Sequence, residues 1–420
     1  MDFRKFLNKS LAAFLMKSTA AVLSLISSLV ITRNVSIDDA GLYFLALSIL
    51  SFIVPWCSLG LNNTVLKIVS ASNNPLYDTR VGGVVGKSML WIFLSSLFSY
   101  CILIFVVKTL NVDHLLIDNF SLILICVFFT TTLVLLSHAI QGLGRISIAI
   151  FITGPSIHII FISLIIYFGV RGASDLIFYY VVSASITAII SFVFWLYFSK
   201  GNISLNVDSK VMLATSLPLM LTEIIAATNN SLNNFFLDYW SSESDIAHFS
   251  IAFKIATLVS FVLFAVNRVS APKISYFHTH NKTEELKELI GWSSKVMVGC
   301  ATPILLFMLL FPEYILSYFG DDYVSAAVYL RILAISQFIC ALTGSVAFLL
   351  IMSGHANLHR NNVVVSFCIG VVLSLLLVPH YGALGATVSV SISLSLINVL
   401  SWLAVKKTLN INTISYVFKL

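Results

Sequence analysis

Charged residues are scarce in this sequence. Asp, Glu, Lys and Arg make up 10% of its 420 residues, whereas 59% are hydrophobic and the mean hydropathy is +0.98. Soluble domains contain about a quarter charged residues. A fold of this composition has too few polar side chains to cover a surface in water, so a soluble protein is excluded. The net charge of +6 does not indicate nucleic acid binding, because the basic residues lie in loops between apolar runs.

The sequence also lacks the patterns of metal sites, nucleotide sites and catalytic groups. Its six cysteines lie inside apolar runs without paired spacing, so we expect neither a disulfide framework nor a metal site. Residues 82–88 (GGVVGKS) resemble a phosphate-binding loop, but Val81 stands where the required spacing has glycine. His355 and His359 have the spacing of helical metal ligands without an acidic partner. Because there is also no nucleophile–base set, we expect no enzyme and no cofactor.

Long apolar runs are what the sequence has in abundance. A helix needs roughly 20 apolar residues to cross a bilayer. We therefore predict an all-α membrane protein with two six-helix lobes: residues 1–198, a linker at 199–211, and residues 212–420. The predicted spans 1 to 12 are residues 11–32, 41–61, 86–107, 119–142, 146–169, 176–198, 212–237, 247–267, 293–312, 325–351, 361–379 and 383–405.

The distribution of basic residues predicts the orientation of these spans. Cytoplasmic loops of membrane proteins carry an excess of Lys and Arg. With the N-terminus in the cytoplasm, 18 of the 24 basic residues fall on the cytoplasmic side. Only Arg33, Lys108 and Arg171 fall on the other side. One missed span would scramble this separation, so we predict an even number of spans and both termini in the cytoplasm.

An internal repeat relates the two predicted lobes. Residues 10–60 align with residues 216–266 without a gap, at an offset of 206. Each lobe has an even number of spans, so the two repeats run in the same direction across the membrane. This pattern predicts two parallel lobes that meet at a central cleft, as in an alternating-access carrier. The matched pairs include Asp39 with Asp245 and Ala46 with Ala252. A second, looser similarity relates residues 168–173 (FGVRGA) to residues 381–386 (YGALGA).

Polar side chains form a stripe on the first span of each lobe. Lys17 in span 1 aligns with Glu223 in span 7. Ionisable groups inside a membrane usually face the bundle interior or a wet cavity, so we expect both stripes to line a cleft. The alternative is an ion pair between Lys17 and Glu223 that holds the lobes together or acts as a gate. The stripes are Lys17, Ser24 and Ser28 on span 1, and Glu223, Asn230 and Asn234 on span 7.

Span 8 carries two further basic residues. Lys254 lies about two turns into this span, and Arg268 lies at its cytoplasmic end on nearly the same face. A lysine in the cleft would contact an anionic substrate. The alternative is a lysine whose charge reaches the interface or an ion-pair partner.

Several segments of this sequence resemble the Wzx-type O-antigen flippases, along essentially the whole chain and in the same order. They are residues 38–43 (DDAGLY), 252–256 (AFKIA), 269–275 (VSAPKIS) and 378–387 (VPHYGALGAT). These flippases are polysaccharide transporters of the superfamily that includes MATE-type multidrug exporters and lipid II flippases.

The resemblance implies a function in lipopolysaccharide biosynthesis. Such proteins move an undecaprenyl-pyrophosphate-linked oligosaccharide from the cytoplasmic to the periplasmic leaflet of the bacterial inner membrane. It further implies a cationic lumen, for which Lys17, Lys254 and Arg268 are the matching positions. Glu223 departs from that pattern and would either couple transport to protons or neutralise Lys17. Implied partners are membrane lipids, a coupling ion (proton or sodium), a polysaccharide polymerase and a chain-length regulator, without nucleic acid.

Two other functions remain open from the sequence. A MATE-type drug or cation antiporter would expose a carboxylate-rich cavity, whereas the charges inside the spans are three basic to one acidic. A membrane polymerase or ligase would carry a large periplasmic loop with catalytic residues. The outer loops of this sequence are too short for that.

Overall fold

The computed structural model describes residues 3–72, 79–110, 120–200 and 209–418, and no strand occurs among them. The chain divides into two compact units, residues 1–235 and 236–420. The predicted linker at 199–211 stays a prediction, and residues 201–208 of it lie outside the described part.

In the described part of the chain, eight helices precede residues 201–208, and a ninth contains the boundary between the two units. Their bounds are α1 (Phe3–Asn34), α2 (Ile37–Ser58), α3 (Leu61–Ala71), α4 (Thr79–Leu110), α5 (Phe120–Gly142), α6 (Ile146–Thr153), α7 (Pro155–Phe168), α8 (Ala173–Ser199) and α9 (Ser209–Trp240). The first unit has its core where α3, α4, α5 and α8 pack together, around Leu61, Val85, Leu136 and the fully buried Trp195.

The second unit contains the helices that follow α9. They are α10 (Glu243–Ala256), α11 (Val259–Thr279), α12 (Thr283–Leu310), α13 (Pro312–Ser317), a 3-10 turn (Asp321–Ala326), α14 (Ala327–Thr343), α15 (Val346–Met352), α16 (Ala356–Thr408) and α17 (Thr413–Phe418). One of its hydrophobic clusters joins α11, α12, α15 and the end of α16, around Ile274, Leu286, Leu349 and Val405.

Ten helical segments among the described residues are long and apolar enough to cross a membrane. They overlap every predicted span except 212–237, which lies in α9. Large apolar side chains such as Ile166 (74% exposed) and Phe98 (66%) lie on their outer faces, where water would be unfavourable. The protein is therefore an all-α, multi-pass membrane protein.

The longest of these segments, α16, has 53 residues and is interrupted at Gly382. Gly382 has φ 50° and ψ −129°, a conformation that residues with a side chain rarely adopt. The predicted spans 11 and 12 are separated at this same residue. A Cβ atom at position 382 would lie 2.5 Å from a carboxylate oxygen of Asp245 on α10, so the bend also has no room for a side chain.

The two copies of the sequence repeat begin their second helix in the same way. At α2, the Ser36 hydroxyl accepts from the backbone N–H of Asp39 over 3.2 Å. At α10, 206 residues later, the Ser242 hydroxyl accepts from the N–H of Asp245 over 3.3 Å. A serine in this position satisfies a backbone donor that the first helical turn leaves free. The repeat in the sequence thus corresponds to a repeated local structure.

Candidate functional site

The carboxylate of Glu223 lies in a polar cluster inside the first unit. The side-chain amide of Asn63 on α3 donates to Oε1 over 2.7 Å, and the Ser58 hydroxyl at the end of α2 donates to Oε2 over 3.2 Å. The side chain of Asn62 and the His138 imidazole on α5 also act on this carboxylate electrostatically. Glu223 is therefore surrounded by neutral donors and one histidine.

The turn between α2 and α3 brings these donors to α9. Gly60 has φ 69°, in the left-handed region that favours glycine. A Cβ atom at this position would collide with the backbone carbonyl of Ser216 and lie 2.7 Å from the backbone nitrogen of Met220, both on α9. Glycine at position 60 thus lets the turn touch the backbone of α9 directly, one helical turn before Glu223.

Asn62 and His138 each leave one polar atom available in this cluster. Asn62 is only 4% exposed, and its Oδ1 has no hydrogen-bond partner among the described residues. Burying an unsatisfied acceptor is unfavourable, and such acceptors are uncommon in folded proteins. The Nδ1 atom of His138 donates to the carbonyl of Val134 over 2.8 Å, so its Nε2 atom remains for other contacts.

A second polar contact lies further along α9. The Asn234 amide donates to the Ser48 hydroxyl over 2.7 Å, and that hydroxyl donates to the carbonyl of Phe44 over 2.9 Å. Glu223 and Asn234 are separated by three helical turns, or about 16 Å along the helix. The predicted stripe on span 7 therefore includes two side chains that bond to α2 and α3.

The other predicted site residues are not brought into this cluster by any described contact. Lys17 lies on an exposed face of α1, and the Ser24 carbonyl accepts from Ser28 over 3.2 Å. Lys254 is partly buried in the last turn of α10, where its carbonyl accepts from Thr257 over 2.8 Å. The side chains of Asn230 and Arg268 lie outside the described part of the structure.

Sequence reasoning missed Ser48, Ser58, Asn62 and Asn63. The predicted span 2 ends at residue 61, which places the two asparagines in a loop, although α3 continues as a helix through them. Two signals were available. Asn62 and Asn63 closely follow Gly60 at the end of an apolar run. Ser48 lies 206 residues before Lys254 and therefore occupies its position in the repeat.

Family models match most of this chain. The model of the polysaccharide biosynthesis protein family matches residues 6–278, and the MatE model matches residues 218–378. No curated protein matches the sequence.

Solved structures of membrane transporters share the fold. The inward closed lipid II flippase MurJ superposes with a TM-score of 0.74 at 14% identity, covering 98% of this chain and 90% of that chain. An inward-facing multidrug resistance MATE family transporter gives 0.70 at 13% identity, covering 95% and 99%. The Vibrio cholerae MATE transporter VcmN in its bent form gives 0.60 at 13% identity, covering 97% and 98%.

These identities establish the fold alone, and the fold is that of the MATE-like transporters. The family follows from the match over residues 6–278, which is well over half of the chain. This protein belongs to the polysaccharide biosynthesis protein family.

Proposed function

We propose that this protein is a flippase for undecaprenyl-pyrophosphate-linked O-antigen units in the bacterial inner membrane. It moves them from the cytoplasmic to the periplasmic leaflet by alternating access, using twelve transmembrane helices with both termini in the cytoplasm. The observation that carries the proposal is the family match over residues 6–278, together with the MATE-like transporter fold. The likeness to the lipid II flippase MurJ supports a lipid-linked substrate.

Twelve crossings result from the ten apolar segments when a second crossing by α16 and one crossing by α9 are added. The segment α16 counts as two crossings because Gly382 interrupts it. The helix α9 supplies the twelfth, since its 32 residues are long enough to span a bilayer.

The chemistry of such a substrate fits the polar groups inside the spans. An oligosaccharide cannot cross hydrocarbon unaided, whereas its lipid tail can stay in the bilayer. Amide and hydroxyl side chains, including Asn230 and Asn234, would exchange hydrogen bonds with sugar hydroxyls. A cation inside the spans would bind the pyrophosphate through charge-assisted hydrogen bonds, and the candidates are Lys17, Lys254 and Arg268.

An ion gradient would drive this transport. The sequence has no nucleotide-binding motif at residues 82–88, and Glu223 is a carboxylate inside a span. A carboxylate in that environment can exchange a proton or a monovalent cation during the cycle. We therefore place the coupling ion, proton or sodium, at Glu223.

A MATE-type drug or cation antiporter is the second candidate. The MatE model matches residues 218–378, and several structural neighbours are multidrug transporters. Against it, the side chains Lys17, Lys254 and Arg331 make the charges inside the predicted spans mainly basic, which disfavours organic cations.

Deletion of the gene with analysis of surface polysaccharide separates the two functions. A flippase predicts loss of long polymer and accumulation of lipid-linked units on the cytoplasmic leaflet. Normal polymer with increased drug sensitivity would overturn the proposal and favour the antiporter. Complementation with the intact chain is the control, because it must restore polymer.

A further inference from the structure

The helix α9 carries the start of the second sequence repeat, yet it is bonded to helices of the first repeat. Its Glu223 accepts from Ser58 and Asn63, and its Asn234 donates to Ser48. Between residues 216 and 220, its backbone lies directly against Gly60. These contacts join α9 to α2 and α3 at three points along one helix.

The Glu223 contact differs in kind from the other two. A carboxylate in a membrane span needs donors, because the surrounding hydrocarbon supplies none. Here the donors are the side-chain amide of Asn63 on α3 and the hydroxyl of Ser58. Because these groups are neutral, the strength of the contact depends on their placement, which the left-handed turn at Gly60 fixes.

We propose that Ser58 and Asn63 are positioning residues for Glu223, and that they anchor α9 to α2 and α3 through its carboxylate. Their effect on transport passes through Glu223, and this part rests on the proposed function. The anchoring itself can be measured on purified protein without any substrate.

The test is hydrogen–deuterium exchange of the peptides from α9 in a double-mutant cycle. Asn63→Leu keeps the size of the side chain but removes the donor, and Glu223→Leu removes the acceptor. Loss of a hydrogen bond to a charged group predicts amide exchange in α9 at least about tenfold faster in either single variant. In the double variant the second substitution adds little, because the interaction is already absent. Two outcomes would overturn the proposal: an exchange rate in the double variant that rises by the product of the two single effects, or an unchanged exchange rate in Asn63→Leu.

Two further variants serve as controls. Asn34→Leu changes an exposed amide at the end of α1 in the same unit and should leave exchange in α9 unchanged. Glu223→Gln retains an acceptor for Asn63, so exchange should stay close to that of the unchanged protein.

Export of polysaccharide in the same variants tests the link to transport. Asn63→Leu should reduce polymer, because it releases α9 although the carboxylate remains. Glu223→Gln should also reduce polymer although exchange in α9 stays native, because the proposed coupling ion binds to this carboxylate. Full polymer in Asn63→Leu with faster exchange in α9, while Glu223→Gln loses polymer, would overturn the transport role of the anchor. If the proposed function fails, no variant changes polymer while the exchange results stand.

Discussion

The Asp39 carboxylate accepts a hydrogen bond of 2.9 Å from the backbone N–H of Ala173, 134 residues later in the chain. It thereby caps the N-terminus of α8, while its other oxygen accepts from Ser36 over 2.6 Å. In the second unit, Asp245 occupies the repeat position and lies between Ser241 and Gly382. Asp39 thus contacts the beginning of α8, and Asp245 lies at the interruption of α16.

Replacing Asp39 by alanine should destabilise the first unit. The change removes an acceptor for a helix N-terminal donor, which costs about 1–2 kcal/mol. We expect a lower thermal unfolding midpoint for purified protein in detergent. Asp38→Ala is the matched control, since Asp38 is exposed on the same helical turn and should have a smaller effect. Equal midpoints for both variants would argue against the capping role.

The contact between Gly60 and α9 predicts an unequal effect of two glycine substitutions. Gly60 and Gly144 both have a positive φ, so alanine at either position strains the backbone by about 1–2 kcal/mol. Only Gly60 of this pair also lies against a backbone, whereas a Cβ atom at Gly144 meets open space. Gly60→Ala should therefore lower the amount of folded protein in the membrane more than Gly144→Ala. Fluorescence-detected size exclusion of tagged variants measures this, and a reversed order would refute the close approach.

The membrane class and most of the helices were predictable from the sequence. Long apolar runs and the distribution of charge are strong signals, because burial of polar groups in lipid is costly along every span. The two lobes with a linker at residues 199–211 stay a prediction. The repeat places α9 with the helices that follow it, whereas the boundary between the units falls near its end, at residue 235. The hydropathy of a helix does not indicate whether it packs against the first or the second repeat.

Of the residues in the candidate site, those on α9 were predictable from the sequence, whereas their hydrogen-bond partners were not. Glu223 and Asn234 stood out because polar residues are rare inside spans. Their partners Ser58 and Asn63 did not, because serine and asparagine at the end of an apolar run are also typical of loops. The left-handed conformations of Leu59 and Gly60 return the chain to α9, and such conformations cannot be predicted from one glycine in a sequence.

Lys254 provides a test of anionic substrate recognition. If its charge contacts a pyrophosphate, Lys254→Ala should reduce export of polysaccharide by tenfold or more, as expected for loss of a charge-assisted hydrogen bond of about 1.5–3 kcal/mol. Lys254→Arg should retain a substantial part of export. Lys295→Ala on α12 is the control. This lysine borders a surface groove and is not one of the proposed substrate contacts, so its loss should leave export unchanged. Full complementation by Lys254→Ala at normal membrane levels would remove Lys254 from the site.

Exchange of charge between Lys17 and Glu223 tests whether they form a pair. Either single reversal, Lys17→Glu or Glu223→Lys, should abolish export, because each leaves two like charges inside the spans. The double variant should restore export only if the two side chains interact during the cycle. Export that stays lost, with normal insertion, would indicate separate roles in a wet cleft.

The central claim is movement of a lipid-linked oligosaccharide between leaflets. The most direct measurement uses purified protein in vesicles that contain a fluorescent undecaprenyl-pyrophosphate oligosaccharide, with a membrane-impermeant quencher outside. The account predicts that quenching extends to the inner-leaflet pool when the protein and an ion gradient are present. Quenching confined to the outer leaflet, in vesicles whose protein takes up an organic cation, would contradict it.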